Sequence, residues 1–367
     1  MINKPKLLFI LHRSPPAHGA AKVGDFIASS EKLKSEYDCK FITIKSSDTI
    51  GDIGKVSFKK IYLVIELFFK ILYTILIFRP HKIYFTASVR GVAFYRDLLL
   101  STTWKIYKKF KSCEVYYHYH TKGVTEFVNN DRNRKLTRYF LKDINLMLLS
   151  PLLEKDFKDV QTYKQVLFLP NGVENNYSKN EFDRYISKKD FNNINILYLS
   201  NMIKTKGYFE VLNLANLHKD KNYHFHFAGG WQSEDDEKEF FKYIEDNSLE
   251  NIVTFHGFIN GEEKKELFEK SQILVFPTRY HFESFGLVIV EAFSYGLPVL
   301  ATDEGSIPYI VDKNSGIVID NVCDLDTAFE KMIEGYINVD TANYCRKRYL
   351  ENFSLGEFEE NLVKVFR

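Results

Sequence analysis

The chain has few cysteines and they are scattered. Cys39, Cys113, Cys323 and Cys345 form no Cys-x-x-Cys pair, which excludes a disulfide framework and a zinc knuckle and fits a reducing compartment. It has no Gly/Ser-rich or single-residue tract, so no segment reads as disordered by composition. It also lacks a small-residue cleavage site after the apolar run 7–11, which therefore reads as a first buried strand.

What is present is length and rhythm. At 367 residues the chain exceeds one ordinary hydrophobic core and suits two domains. Apolar residues make up 45% and charged residues 27%, an ordinary globular balance. The net charge of +2 hides an asymmetry: residues 1–175 carry 29 Lys and Arg against 16 Asp and Glu, and the remainder 21 against 32. A basic half can face anionic lipid, nucleic acid or an anionic substrate, and charge alone does not choose among them.

Short β-branched and aromatic runs at 7–11, 41–44, 83–86, 115–120, 146–149 and 166–169 alternate with helical stretches. After the turn-forming Pro170-Asn171-Gly172 the rhythm restarts at 194–199, 223–228, 252–255, 273–276, 299–301 and 317–319. Repeated βα units predict an α/β chain of two consecutive doubly wound, Rossmann-like domains, 1–172 and 173–354. A last helix, 355–367, follows the capping signal Ser354 and Glu357 and is expected to pack back on the first domain.

Residues 61–78 resist a simple reading. They hold only Glu66 and Lys70 as charges and are flanked by Lys59, Lys60, Arg79, His81 and Lys82. A membrane-spanning helix needs about 20 apolar residues and is penalised by mid-segment charge. A buried crossover helix is the plainer alternative. The third is a helix half-sunk in a membrane interface, supported by the cationic flanks and by Trp104-Lys105-Ile106-Tyr107-Lys108-Lys109-Phe110-Lys111. The last two can coexist.

The stretch Phe276-Pro277-Thr278-Arg279-Tyr280-His281-Phe282-Glu283-Ser284-Phe285-Gly286-Leu287-Val288-Ile289-Val290-Glu291-Ala292 leaves a strand, turns and enters a helix. Exposed amides at a helix start, with Gly286 allowing close backbone approach, suit a diphosphate. Glu283 before the helix and Glu291 two turns in can accept hydrogen bonds from sugar hydroxyls. Two glutamates eight apart are common by chance, so the pair alone decides little. With Tyr295-Gly296-Leu297-Pro298-Val299 behind it, however, the stretch resembles the E-x7-E motif of family 4 of the retaining glycosyltransferases.

That resemblance implies the GT-B fold, two Rossmann-like domains facing across a cleft, with the acceptor on the first and the nucleotide sugar on the second. It also implies roles for particular residues. Glu283 would contact the donor sugar and Glu291 the ribose, with amides of Phe285, Gly286, Leu287 and Val288 on sugar and phosphate. Pro15-Pro16-Ala17-His18-Gly19-Ala20 is similar to a small-residue loop near phosphate and acceptor, with His18 and Gly19 as candidates. His120, ending the fourth strand, resembles a histidine beside the transferred sugar. It shares a strand face with His118, but no third ligand makes a metal site of the pair.

Lys206 resembles the phosphate-binding lysine, while Asn201 stands where arginine is usual, a gap that Lys204 or Arg279 would have to fill. Ser306 and Tyr309 also depart from the family pattern. Gly257 and Phe258 fall where the nucleobase is held. The one clean Asp-x-Asp, Asp324-Leu325-Asp326, sits before an amphipathic helix and reads as a cap, not as a metal-diphosphate clamp. His224 and His226 read as satisfied strand histidines.

The expected function is thus a metal-independent retaining hexosyl transfer, without cofactor, from a nucleotide diphosphate sugar, UDP-sugar favoured. The acceptor is expected to be a saccharide, lipid-linked, in bacterial O-antigen, capsule or other surface polysaccharide synthesis, with the enzyme cytoplasmic and peripheral on the anionic inner leaflet. Its rivals are a catalytically silent GT-B protein that binds sugar nucleotide or a partner transferase, a non-hydrolysing sugar-nucleotide epimerase, and a nucleic-acid-binding module. No nucleic-acid motif accompanies the basic charge.

Overall fold

A computed structural model describes residues 4–14, 19–44 and 58–367, and the side chains from 61 onward in the last of these. The candidate His18 lies outside the described residues. The chain divides into two compact units, 1–172 with 355–367, and 173–354.

The first unit builds a parallel sheet in the order β2-β1-β3-β4-β5-β6. Its strands are β1 (Lys6–Leu11), β2 (Asp38–Thr43), β3 (Lys82–Ala87), β4 (Glu114–Tyr119), β5 (Asn145–Leu148) and β6 (Gln165–Phe168). Helices α1 (Gly19–Ser29) and α2 (Glu31–Glu36) link β1 to β2, and α3 (Phe58–Phe78) and α4 (Gly91–Tyr107) follow β2 and β3. Then come α5 (Val124–Phe127), α6 (Asp131–Leu141) and a 3₁₀ helix, Pro151–Val160.

The second unit's sheet runs β12-β11-β10-β7-β8-β9, again parallel. Its strands are β7 (Ile194–Leu199), β8 (Tyr223–Ala228), β9 (Val253–Phe255), β10 (Ile273–Phe276), β11 (Val299–Thr302) and β12 (Gly316–Ile319). Its helices are α7 (Lys179–Lys188), α8 (Tyr208–Leu217), α9 (Glu234–Asp246), α10 (Gly261–Lys270), α11 (Leu287–Ser294), α12 (Ile307–Ile310), α13 (Leu325–Gly335) and α14 (Val339–Asn352). The last helix, α15 (Leu355–Phe366), belongs to the first unit.

Strand sequences explain the layering. Leu7 to Leu11 of β1 are all fully buried, as are Ile273 to Val275 of β10. A continuous apolar run fits a parallel strand covered on both faces, where an alternating one would not. The first unit's core joins Leu7, Phe9, Leu11, Val23, Ile27 and Leu33 to Phe358, Leu362, Val363 and Phe366 of α15. Phe366 meets Tyr116 edge-on at 5.0 Å and Phe9 at 5.9 Å.

The segment 61–78 is helical and is the one helix among the described residues long and apolar enough to cross a membrane. It packs on α4. Leu67, Ile71, Thr74, Ile75 and Phe78 are buried, whereas Ile61, Tyr62, Ile65, Phe69, Tyr73, Leu76 and Ile77 are exposed. The buried-crossover reading therefore accounts for one face of α3 only.

Candidate active site

In the second unit three loops converge on Glu283. The first leaves β7 and passes through a 3₁₀ turn, Lys204–Lys206, into Gly207, whose φ of 89° starts α8. A Cβ on Gly207 would lie 2.5 Å from the Pro277 carbonyl oxygen, so the loops after β7 and β10 touch backbone to backbone. The second loop, after β10, carries Glu283 to Gly286, with Gly286 at φ 77° as the cap of α11. The third carries Gly305 at φ 59°, where a Cβ would come within 2.3 Å of the Glu283 carbonyl oxygen. Ser306, fully buried, donates its N–H to the Ser284 carbonyl at 3.0 Å. Glycines at 207 and 305 are thus demanded both by conformation and by space.

The result is a half-buried ion pair. Lys206 Nζ donates to Glu283 Oε2 at 2.9 Å, and Gly286 N–H donates to Glu283 Oε1 at 3.0 Å. The ammonium also lies over the rings of Tyr280, at 5.0 Å, and Phe276, at 5.9 Å. Glu283 therefore takes up a cation and an amide of the kind an anionic ligand would use at the start of α11. The next amides, of Leu287 and Val288, have no acceptor within their own helix. The side chain of Phe285 is buried, leaving its backbone as the part able to meet a ligand. Glu291, eight residues on, accepts from Lys264 Nζ of α10 at 2.7 Å.

The compensating cations expected around Asn201 are turned elsewhere. Arg279 forms an ion pair with Glu210 of α8, and Lys204 pairs with Glu239 at 2.7 Å and with Asp236 at 3.4 Å, both on α9. Helix carboxylates reach these cations first. Asn201 itself is exposed. Gly257, at φ 70°, accepts the Gly229 N–H through its carbonyl at 2.8 Å, and Phe258 beside it is 73% exposed, a ring standing in solvent next to the loop.

The histidines of β8 are satisfied. His224 Nε2 meets Thr254 Oγ1 at 2.8 Å, and His226 meets Asn195 at 3.0 Å and His256 at 3.1 Å. Burial lowers all three pKa values, His226 to about 3. The Asp-x-Asp reading needs a correction. Asp324 stands at the N-cap of α13 but makes no side-chain capping bond, and Asp326 instead meets His218 Nε2 at 2.7 Å. A histidine on the neighbouring element competes for the carboxylate.

In the first unit the corresponding groups are rings. His118 is fully buried, its Nδ1 is 2.7 Å from the Tyr84 hydroxyl, and its ring lies 4.1 Å from that of half-buried His120. Burial, reinforced by His120, holds the His118 pKa well below the ordinary value, so the ring is neutral. Gly19 opens α1.

Two residues that sequence reasoning passed over shape these loops. Asp156 accepts the N–H groups of Gly123, Val124 and Thr125 at 2.8, 2.9 and 2.8 Å, fixing the loop that follows His120. Gly24 of α1 lets the His12 carbonyl approach to where a Cβ would be. Neither has a local signature, since both partners are distant in sequence. Among the described residues no group of three or more His, Cys, Asp or Glu is arranged to hold a metal ion.

Comparison with known proteins gives the fold and a match to one family over part of the chain. The Anabaena protein HepE, solved with UDP and glucose, superposes with a TM-score of 0.68 at 17% identity, covering 99% of both chains, which makes the fold GT-B. Residues 179–349, within the second unit, match the model of the family Glycosyl transferases group 1.

An uncharacterized 41.2 kDa protein in the cps region of Klebsiella pneumoniae is 29% identical over 176 residues, 47% of this chain and 46% of that one. The O-antigen chain mannosyltransferase C of Escherichia coli is 33% identical over 124 residues, 32% and 33% of the two chains. The matches therefore span less than half the length of these curated relatives.

Proposed function

We propose that the chain is a retaining, metal-independent glycosyltransferase that moves a sugar from a nucleotide diphosphate donor, UDP-sugar favoured, to a lipid-linked saccharide. Surface polysaccharide synthesis, of O antigen or capsule, is the setting that the relatives' names favour, with the protein peripheral on the inner face of the membrane. The observation that carries the reading is the Lys206–Glu283 pair at the start of α11, inside the family-matched stretch.

Chemically, departure of a nucleoside diphosphate places negative charge on the leaving oxygens and positive charge on the sugar ring. When the donor enters, Lys206 and the first amides of α11 turn from Glu283 to the diphosphate. Glu283, released, orients the sugar hydroxyls and faces the ring's positive charge. Glu291 accepts from the ribose, and Phe258 offers its exposed face to the base. Each preorganised donor at the leaving oxygens is worth on the order of 10²-fold in rate. The diphosphate oxygen itself takes the acceptor proton as the new bond forms on the same face.

A second reading has a specific observation behind it. With Arg279 and Lys204 held by carboxylates and Asn201 in place of a cation, Lys206 is left as the principal diphosphate cation, as a silent nucleotide-sugar-binding member would also have.

The test is nucleoside diphosphate release from UDP- and GDP-sugars in EDTA with lipid-linked acceptors, comparing wild type with Glu283→Ala and Lys206→Ala. One donor turning over without metal, and both variants losing it, supports the transferase. Tight donor binding with no turnover on any acceptor supports the silent member, and loss of activity in EDTA refutes the metal-independent mechanism.

A further inference from the structure

We propose that the outer faces of α3 and α4 form a docking surface that lies in the plane of an anionic lipid bilayer. The proposal deepens the reading above, resting on it only for why a bilayer matters: a lipid-linked acceptor is met there.

Large apolar side chains on a soluble protein are normally exposed singly. Here Tyr62, Ile65, Phe69, Tyr73 and Leu76 recur every three or four residues along α3, with Ile61 and Ile77 beside them, so they share one face. The opposite face, with Leu67, Ile71 and Ile75, is buried. α4 packs against α3 and repeats the pattern with Val92, Tyr95, Leu99 and Ile106, after which Phe110 is 77% exposed. β2, β1, β3 and β4 lie in one parallel sheet, and the crossovers from β2 to β3 and from β3 to β4 run in the same direction across it. Right-handed connection therefore places α3 and α4 on the same side. The two stripes make one apolar area.

Charge selects the occupant. Lys70 lies within the stripe, Arg90 precedes α4, and Lys109 and Lys111 follow it, all exposed. On α6, which also packs against α4, Arg132, Lys135 and Arg138 are exposed. Lys105 lies over the exposed Tyr139 ring at 4.9 Å. Against these stand exposed Glu66, Asp131 and Asp143. An apolar stripe with tyrosines and a cationic rim matches the headgroup boundary of an anionic leaflet. A second copy of the chain would bring its own cationic rim opposite this one, an unfavourable pairing.

Spanning does not fit. α3 joins β2 and β3, both of which pair with β1, and its inner face is buried in the same unit, so leaving the sheet would strip that unit's core.

The experiment is co-sedimentation of the full chain with vesicles of phosphatidylcholine alone, or of phosphatidylcholine with phosphatidylglycerol, at low and high salt. Wild type is compared with Phe69→Ser/Tyr73→Ser/Leu76→Ser and with Lys109→Glu/Lys111→Glu, each checked for an unchanged thermal melt. Wild type should pellet with the anionic vesicles and less so at high salt, and either variant should partition about tenfold more weakly or worse.

The proposal is overturned if wild type stays in solution with every vesicle, or if both variants pellet as wild type does. It is also overturned if sedimentation velocity shows a dimer that the α3 variant dissociates and no vesicle binding, which would assign the face to a second copy. Vesicle binding without sugar transfer would sink the transferase reading and leave this one standing.

Discussion

Along β3 and β4 and just beyond, the first unit sets rings side by side, Tyr84, the buried neutral His118 and His120, whereas the loops after β7 and β10 in the second unit set ion pairs, Lys206 with Glu283 and Arg279 with Glu210. The difference follows from burial. His118 is sealed inside the sheet, where burial holds its pKa well below the ordinary value, while Lys206 and Glu283 form an ion pair that is only partly buried in the loops.

The two units should differ first in how their stability depends on α15. Phe366→Ala removes edge contacts to Phe9, Tyr84 and Tyr116, all in the first unit, and should cost about 3–5 kcal/mol. Hydrogen exchange should then rise across the first sheet and leave the second unchanged. Uniform exchange in both would mean the units do not differ in this respect.

At the ion pair, Lys206→Ala and Glu283→Ala should each lower kcat/KM by about 10²- to 10³-fold, roughly 3–4 kcal/mol. Because the two side chains act as a unit, the double variant should lose less than the two losses added. Steady-state kinetics of diphosphate release checks both statements, and full additivity would show that the pair works independently. Gly305→Ala should cost about 1–3 kcal/mol, since the new Cβ meets the Glu283 carbonyl at a φ that disfavours it. Thermal denaturation together with the donor KM would separate strain from a displaced glutamate.

The second unit should also show a pH dependence of its stability. Lys189 of the second unit, bound to the Tyr185 hydroxyl and to the Glu269 carbonyl at 2.8 Å, is pushed by burial from 10.5 to about 7, with Glu269 opposing. Its folded value lies below its unfolded one, so the unfolded chain binds more protons between those values and stability should rise from pH 7 towards 10. Urea midpoints at pH 7, 8 and 9 should show this slope, and Lys189→Met should flatten it.

Strand positions were legible because parallel strands covered on both faces must be apolar without interruption, and runs such as 194–199 and 273–276 stand out against helical stretches. The spacing of Glu283 and Glu291 and the Lys206-Gly207 step were legible as residues. Their partners were not. Which carboxylate takes Arg279, which takes Lys204, and that Lys264 reaches Glu291 depend on helices α8, α9 and α10 arriving from elsewhere in the sequence. Asp324 shows the same limit from the other side. Its local pattern indicates a cap, yet no capping bond forms, and Asp326 goes to His218 on another element.

One consequence of α15 concerns the order in which the molecule is made. β1 is synthesised before the second unit, yet Phe9 and Tyr84 keep one side open until Phe366 has been made, after the whole of that unit. During synthesis the second unit can close on its own contacts, while the earlier-made sheet waits with apolar side chains uncovered. The half that is translated first is the half that is finished last, and chaperone demand should fall on it.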